Sequence, residues 1–192
     1  FINEVAALCE KVGADVKAVS KGMGLDGRIG NKFLHAGPGF GGSCFPSQAR
    51  ALPRLAASYG VHTPLMDAIW PSNVSQADWL LDGLERATAR PVACMRVALL
   101  GLTFKAGTDD LRESPIVELT ERLIGKGYDI RLYDRNVNLA KLFGANRDYI
   151  LNAIPHISGL MTDSLDDALE HAETIVIGNG DREFADVLER LR

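Results

Sequence analysis

Apolar residues recur at helical spacing from the start of the chain. Ile2, Val5, Ala6, Leu8, Cys9 and Val12 fall on one face, and Gly13 closes the segment. Asp15 is placed to cap a second short helix that carries Val16 and Val19 and ends at "KGMG". The stretch "DGRIGNKFLHAGPGFGG" then breaks the period and predicts a glycine-rich loop. Pro46 suits the first turn of a third helix running to about Tyr59, with Pro53 expected to bend or restart it. A long helix is predicted from Pro64 to Arg90, disturbed by Pro71.

After Pro91 the pattern changes. "RVALLGL" is a short, apolar, β-rich run, followed by a polar loop and the amphipathic "SPIVELTERLIGKG". "DIRLYD" reads as a strand, "NVNLAKLFG" as a helix and "SGLMT" as a weaker strand. The helical "SLDDALEHA", the strand "TIVIGNG" and a final helix complete the chain. Strands alternating with helices of this length predict a parallel sheet covered on both faces. The expected class is therefore α/β. Residues 1–91 form an all-helical domain and residues 92–192 a Rossmann-like parallel-sheet domain. The chain opens inside a helical pattern without a methionine and stops at the end of one, so it reads as an excerpt of a longer protein.

Composition narrows the class of function. A formal charge of −4 and a pI near 5.6 argue against non-specific nucleic-acid binding. No apolar run approaches a membrane span, and no cleavable signal opens the sequence. The three cysteines, Cys9, Cys44 and Cys94, are far apart and odd in number, which favours a reducing cytoplasm over a disulfide framework. His35, His62, His156 and His171 show no metal spacing, so no metal is expected.

Candidate chemistry concentrates in two loops. "GPGFGG" superficially resembles a dinucleotide fingerprint, but no strand feeds it, and glycines alone equally serve a tight connection. Cys44 alters that balance. It stands at the expected N-terminus of a helix, where unpaired N–H groups and the helix dipole favour a thiolate. Cys9 and Cys94 sit in apolar patterns and read as core or incidental. The second loop, "GLTFKAGTDDLRESP", follows the first strand of the sheet, at the end where ligands bind in open parallel folds. Lys105 and Arg112 can hold phosphate there, and Asp109 and Asp110 can fix those bases or meet sugar hydroxyls. A solvated loop with Ser114 capping the next helix is the structural alternative. Asp134, ending "RLYD", stands either where a ribose-binding acid is often found or simply at the start of a turn.

Three stretches, "FINEVAALCEKVGADVKAVSKGMGLDGRIGNKFLHAGPGFGGSCFP", "GLTFKAGTDDLRESP" and "GKGYDIRLYDRNV", together resemble the UDP-glucose/GDP-mannose dehydrogenase family. The resemblance covers nearly the whole chain. It implies a helical central domain that carries the nucleophile and forms a homodimer, then a Rossmann-like domain that binds the sugar nucleotide. A preceding NAD domain would lie outside this sequence. The implied reaction oxidises the sugar C6 alcohol to an aldehyde, captures it on the cysteine, oxidises it again and hydrolyses the thioester to a uronic acid. Cys44 is the implied nucleophile. The backbone of Phe33 and Leu34, with Lys32, would line the sugar and phosphate path, and Gly39, Phe40, Gly41 and Gly42 the nucleotide side. Phe104 and Lys105 would reach the ligand from the second domain. Arg112 would contact NAD, and Arg28 would enter the partner subunit's site.

Two positions, Ser47 and Gln48, depart from the family. Members usually read Cys-Phe/Leu-Pro-Lys-Asp, whereas this chain reads "CFPSQ". Gln48 can position water but cannot accept a proton at neutral pH, so slow thioester hydrolysis is expected. A weakened or inactive sugar-nucleotide-binding protein is the alternative. The second half looks most like the members acting on GDP-mannose, which feed alginate-type polysaccharides, and "RIGNKFLHAGPGFGGSCFP" more like those acting on UDP-glucose. GDP-mannose is favoured.

Overall fold

The computed structural model describes residues 1–87 and 95–190, apart from the side chains at positions 188 and 190. The boundary expected near residue 91, the last residues of the long helix to Arg90, and Cys94 lie outside the described residues.

Helix α1 (Ile2–Val12) ends where Gly13 turns left-handed, at φ 72°. Helix α2 (Val16–Gly24) begins at Asp15, whose carboxylate accepts the Lys17 N–H at 2.9 Å. Residues 25–43 form the loop. Helix α3 (Cys44–Ser58) passes through Pro53, and α4 (Pro64–Ala87) through Pro71, without a restart. Of the bend or restart expected at Pro53, the restart does not occur.

The second half forms three parallel strands in the order β2-β1-β3: β1 Arg96–Leu100, β2 Asp129–Tyr133 and β3 Thr174–Ile177. Val97 to Leu100 are fully buried, as a strand covered on both faces requires. On one face Val97, Leu99, Ile130 and Leu132 pack against α5 (Pro115–Lys126) and against Leu81 and Leu84 of α4. On the other face Ala98 and Leu100 meet Leu165 and Ala168 of α7 (Leu165–His171), with Phe184 and Val187. A terminal helix, α8 (Val187–Arg190), follows a short 3-10 turn.

Two local expectations are corrected. "NVNLAKLFG" is turns and irregular backbone as far as Phe143, and helix α6 begins only at its last residue, running Gly144–Ala153. Its apolar residues Val137 and Leu142 do reach the core, but Asn138 diverts the backbone by accepting the Ala140 N–H at 3.1 Å. "SGLMT" contributes a single bridge, Leu132 to Met161, rather than a strand. The helical half and the sheet meet through α4 and α5, where Lys126 pairs with Glu85 at 2.6 Å and Arg122 with Asp78.

Candidate active site

Cys44 is the first residue of α3, exposed and unbridged, whereas Cys9 is buried in α1. Ser43 precedes it without capping the helix, and its hydroxyl lies 3.7 Å from the Cys44 sulfur. Gln48 stands one helical turn later on the same face, also exposed. Pro46 and Ala49 form the buried side of that turn, so Cys44 and Gln48 are presented together to solvent.

The glycines approaching Cys44 are closed over by protein. A Cβ on Gly41 would stand 2.8 Å from the Phe104 Cβ and against the Glu113 carbonyl oxygen. Gly42, at φ 89°, lies under the Phe104 ring. Gly39, at φ 127°, approaches the Asn73 amide so closely that a Cβ would be 2.9 Å from its oxygen. Gly41 and Gly42 are therefore packed by the second loop itself. The Gly42 N–H donates to the Arg112 carbonyl at 2.8 Å, joining the two loops directly.

That second loop is tightly organised. Asn146 of α6 accepts the Leu111 N–H at 2.9 Å and donates to the Asp109 carbonyl at 2.8 Å. Arg112 forks onto both Asp110 oxygens at 2.9 and 2.8 Å. This hydrogen-bonded carboxylate raises the Arg112 guanidinium above its ordinary value, and Cys44 adds to the shift through space. Arg112 in turn holds the Asp110 carboxyl below its usual range. Phe104 is half-buried and Lys105 exposed. Ser114 does not cap α5; its hydroxyl donates to the Leu102 carbonyl at 2.5 Å instead.

Lys32, Phe33, Gly39 and Phe40 line one cleft of about 670 Å³ with Asn3 and Asn73. Phe33 is 92% exposed, while Leu34 is buried beneath the loop. Arg28 points outward, its guanidinium held by both Asp26 oxygens. Asp134 is resolved as structural. One of its oxygens accepts the Leu102 and Thr103 N–H groups at 2.9 and 3.2 Å, and the other accepts the Asn136 N–H at 3.0 Å. Among the described residues no cluster of three or more His, Cys, Asp or Glu is placed to hold a metal ion.

Several residues that sequence reading passed over hold this site together. Arg50 of α3 pairs with Glu113 at 2.9 Å and lies 4.4 Å over the Trp70 ring. Asn3, Asn73 and Gln76 bind the backbone of the glycine loop. The available signal was polar Asn73 and Gln76 three residues apart on the stripe of α4 that faces inward.

Comparison with known proteins gives this geometry a family. Residues 1–75 match the central domain of the UDP-glucose/GDP-mannose dehydrogenase family, and residues 98–192 match its UDP binding domain. The chain belongs to that family. It is 45% identical to the GDP-mannose 6-dehydrogenase of Pseudomonas putida, over 96% of this chain and 41% of that protein. It is 37% identical to a UDP-glucose 6-dehydrogenase of Rickettsia conorii, over 97% of this chain and 41% of the relative. A crystallised ternary complex of GDP-mannose dehydrogenase from Pseudomonas aeruginosa superposes with a TM-score of 0.75 at 40% identity, covering all of this chain and 43% of that one. A UDP-glucose dehydrogenase from Pyrobaculum islandicum gives 0.81 at 29% identity, covering 96% and 40%. The chain thus spans about two fifths of the length of the relatives it matches.

A dinucleotide cofactor can be tested against the strand-to-helix turn where such groups bind. At Gly101, after β1, a Cβ would stand 2.6 Å from the Asn179 side chain, so the protein itself fills that turn. The turn reads "GLTFKAG" rather than G-x-G-x-x-G, so it lacks the dinucleotide fingerprint. Arg112, committed to Asp110, is the one sequence-proposed cofactor contact in this chain.

Proposed function

We propose that this chain is the carboxy-terminal part of an NAD-dependent nucleotide-sugar 6-dehydrogenase acting on GDP-mannose, with UDP-glucose as the other candidate. Residues 1–91 are its central, dimer-forming domain and residues 92–192 its sugar-nucleotide domain. NAD, held mainly by a domain outside this chain, would supply the hydride acceptor for both oxidations. The protein works in the cytoplasm as a homodimer, with the exposed end of α4 (Leu65, Met66, Ile69) as the dimer element. Among the described residues no helix is long and apolar enough to cross a membrane.

The Gly42–Arg112 hydrogen bond carries this reading, because it sets the only exposed thiol among the described residues beside the loop at the carboxyl end of β1. Phe104 and Lys105 present the sugar nucleotide, and Lys32, Phe33 and Leu34 line its path. Gly39 and Phe40 shape the nucleotide side, and Arg28 reaches the partner's site. The Cys44 sulfur adds to the C6 aldehyde carbon, and its proton passes to the carbonyl oxygen. After the second oxidation, water adds to the thioester carbon, the C–S bond breaks and the thiol is regenerated. Gln48, one turn from the sulfur, orients that water without taking its proton.

Gln48 also favours the second reading, a weakened or inactive sugar-nucleotide-binding protein. Incubating the protein together with its upstream coding region, NAD and each sugar nucleotide separates the two. NADH formation supports the dehydrogenase. Calorimetric binding of a sugar nucleotide with no NADH rejects it and leaves the binding protein.

A further inference from the structure

We infer that Asn73 is a positioning residue for Cys44, an inference that rests on the thiol's role in the function proposed above. Among the described residues the Cys44 side chain has no hydrogen-bond partner closer than the Ser43 hydroxyl at 3.7 Å, so its place is set by backbone. That backbone is held from α4. The Asn73 amide grips both polar groups of Phe40: its oxygen accepts the Phe40 N–H at 2.9 Å, and its nitrogen donates to the Phe40 carbonyl at 3.0 Å. The two bonds fix which way the amide points, since a flip would set donor against donor.

The surroundings are built for this grip. Only a glycine at position 39, at φ 127°, leaves room for the Asn73 oxygen. One turn further along α4, Gln76 donates to the Gly37 carbonyl at 3.3 Å, and Asn3 of α1 accepts the Gly37 N–H at 2.9 Å. Phe40, so held, packs against Phe45 with ring centroids 4.3 Å apart and planes tilted by 57°, and Phe45 is bonded directly to Cys44. Asn73 therefore reaches the nucleophile through one ring pair on one side. On the other, it acts through the short glycine span that Arg112 anchors at Gly42. Asn73 touches no reacting atom; it decides where the sulfur stands. A displacement of about 1 Å at a reacting group can cost about a hundredfold in rate.

The test uses iodoacetamide alkylation of the 192-residue protein, followed by peptide mass spectrometry, with buried Cys9 as an internal monitor of unfolding. Asn73→Leu removes both hydrogen bonds at similar volume. The expected result is at least a threefold change in the Cys44 alkylation rate while Cys9 stays protected and Ser75→Ala, on the exposed side of α4, matches the parent. An unchanged Cys44 rate with Cys9 protected overturns the inference. If Asn73→Leu exposes Cys9, Asn73→Asp decides by the same criterion, because it keeps the acceptor for Phe40 and removes only the donor. In the longer protein the same variant should lower kcat at least tenfold with KM within about threefold, a split that lost stability alone does not produce. The alkylation readout needs no turnover, so failure of the dehydrogenase reading and failure of this one are told apart.

Discussion

The Gly42 N–H and the Arg112 carbonyl, 2.8 Å apart, join the segment before the thiol to the loop after the first strand. Gly41 lies under Phe104 beside it, and Arg50 reaches Glu113 from within the cysteine helix. The two loops form one body, and a change in either is felt at Cys44.

Gly41→Ala tests how closely they fit. The new methyl meets the Glu113 carbonyl and the Phe104 Cβ, both parts of the chain that cannot swing away as a flexible side-chain end can. Overpacking of this kind costs about 1–3 kcal/mol. Denaturant unfolding should show a lowered midpoint, and a variant as stable as the parent contradicts the packing described.

The Arg50–Glu113 pair is partly exposed on both sides, so screening keeps its worth small. Its ion pair and the Trp70 contact each contribute roughly 0.5–1 kcal/mol. A double-mutant cycle of Arg50→Met with Glu113→Gln should give a coupling of about 0.5 kcal/mol that shrinks with added salt. Salt-independent coupling rejects the ionic account.

Alkaline pH should weaken the fold in a definite window. Burial pushes Tyr133 up to about 12, with its hydrogen bond to Glu183 adding to the effect, and burial beside Glu113 does the same for Tyr149. A phenol whose pKa rises on folding favours the folded state fully below about pH 10, and that contribution fades as pH climbs through 12. Tyr133→Phe should therefore flatten the fall in stability between those values. An unaltered alkaline limb in equilibrium unfolding removes Tyr133 from the account. At the acid end the sign reverses. Asp110, held low by Arg112, stabilises above its unfolded value and loses that contribution as pH falls below it.

Gln48→Asp, with Ser47→Lys, addresses the water step. A carboxylate one turn from the sulfur supplies the base that Gln48 lacks, and general-base catalysis is worth about a hundredfold or more. Turnover in the longer protein should rise, and thioester trapped on Cys44, detected by mass, should diminish. No change in either shows that the residue at 48 does not act on hydrolysis.

Helix starts and buried strands were readable because their signals are local. Gly13 and Asp15 end and begin helices through their own backbone and carboxylate, and Val97–Leu100 is an unbroken apolar run. The segment after β2 misled because Val137, Leu139 and Leu142 keep a helical rhythm while Asn138 turns the chain. At the site, Cys44 and the two loops were legible from residue type and order. The glycines' partners were not, because Phe104 and Glu113 are about sixty to seventy residues away in sequence and reach them only through the meeting of α4 with α5. Asn73 escaped notice for the same reason. An amide on a helix declares its partner only when the loop it grips is folded against it.

Asp134 has both oxygens occupied by the chain's own Leu102, Thr103 and Asn136. The acid at the tip of β2 is thus a rivet in the scaffold rather than a reader of ribose. Under the proposed function, a change of nucleotide preference should leave Asp134 untouched and begin with the loop from Phe104 to Arg112.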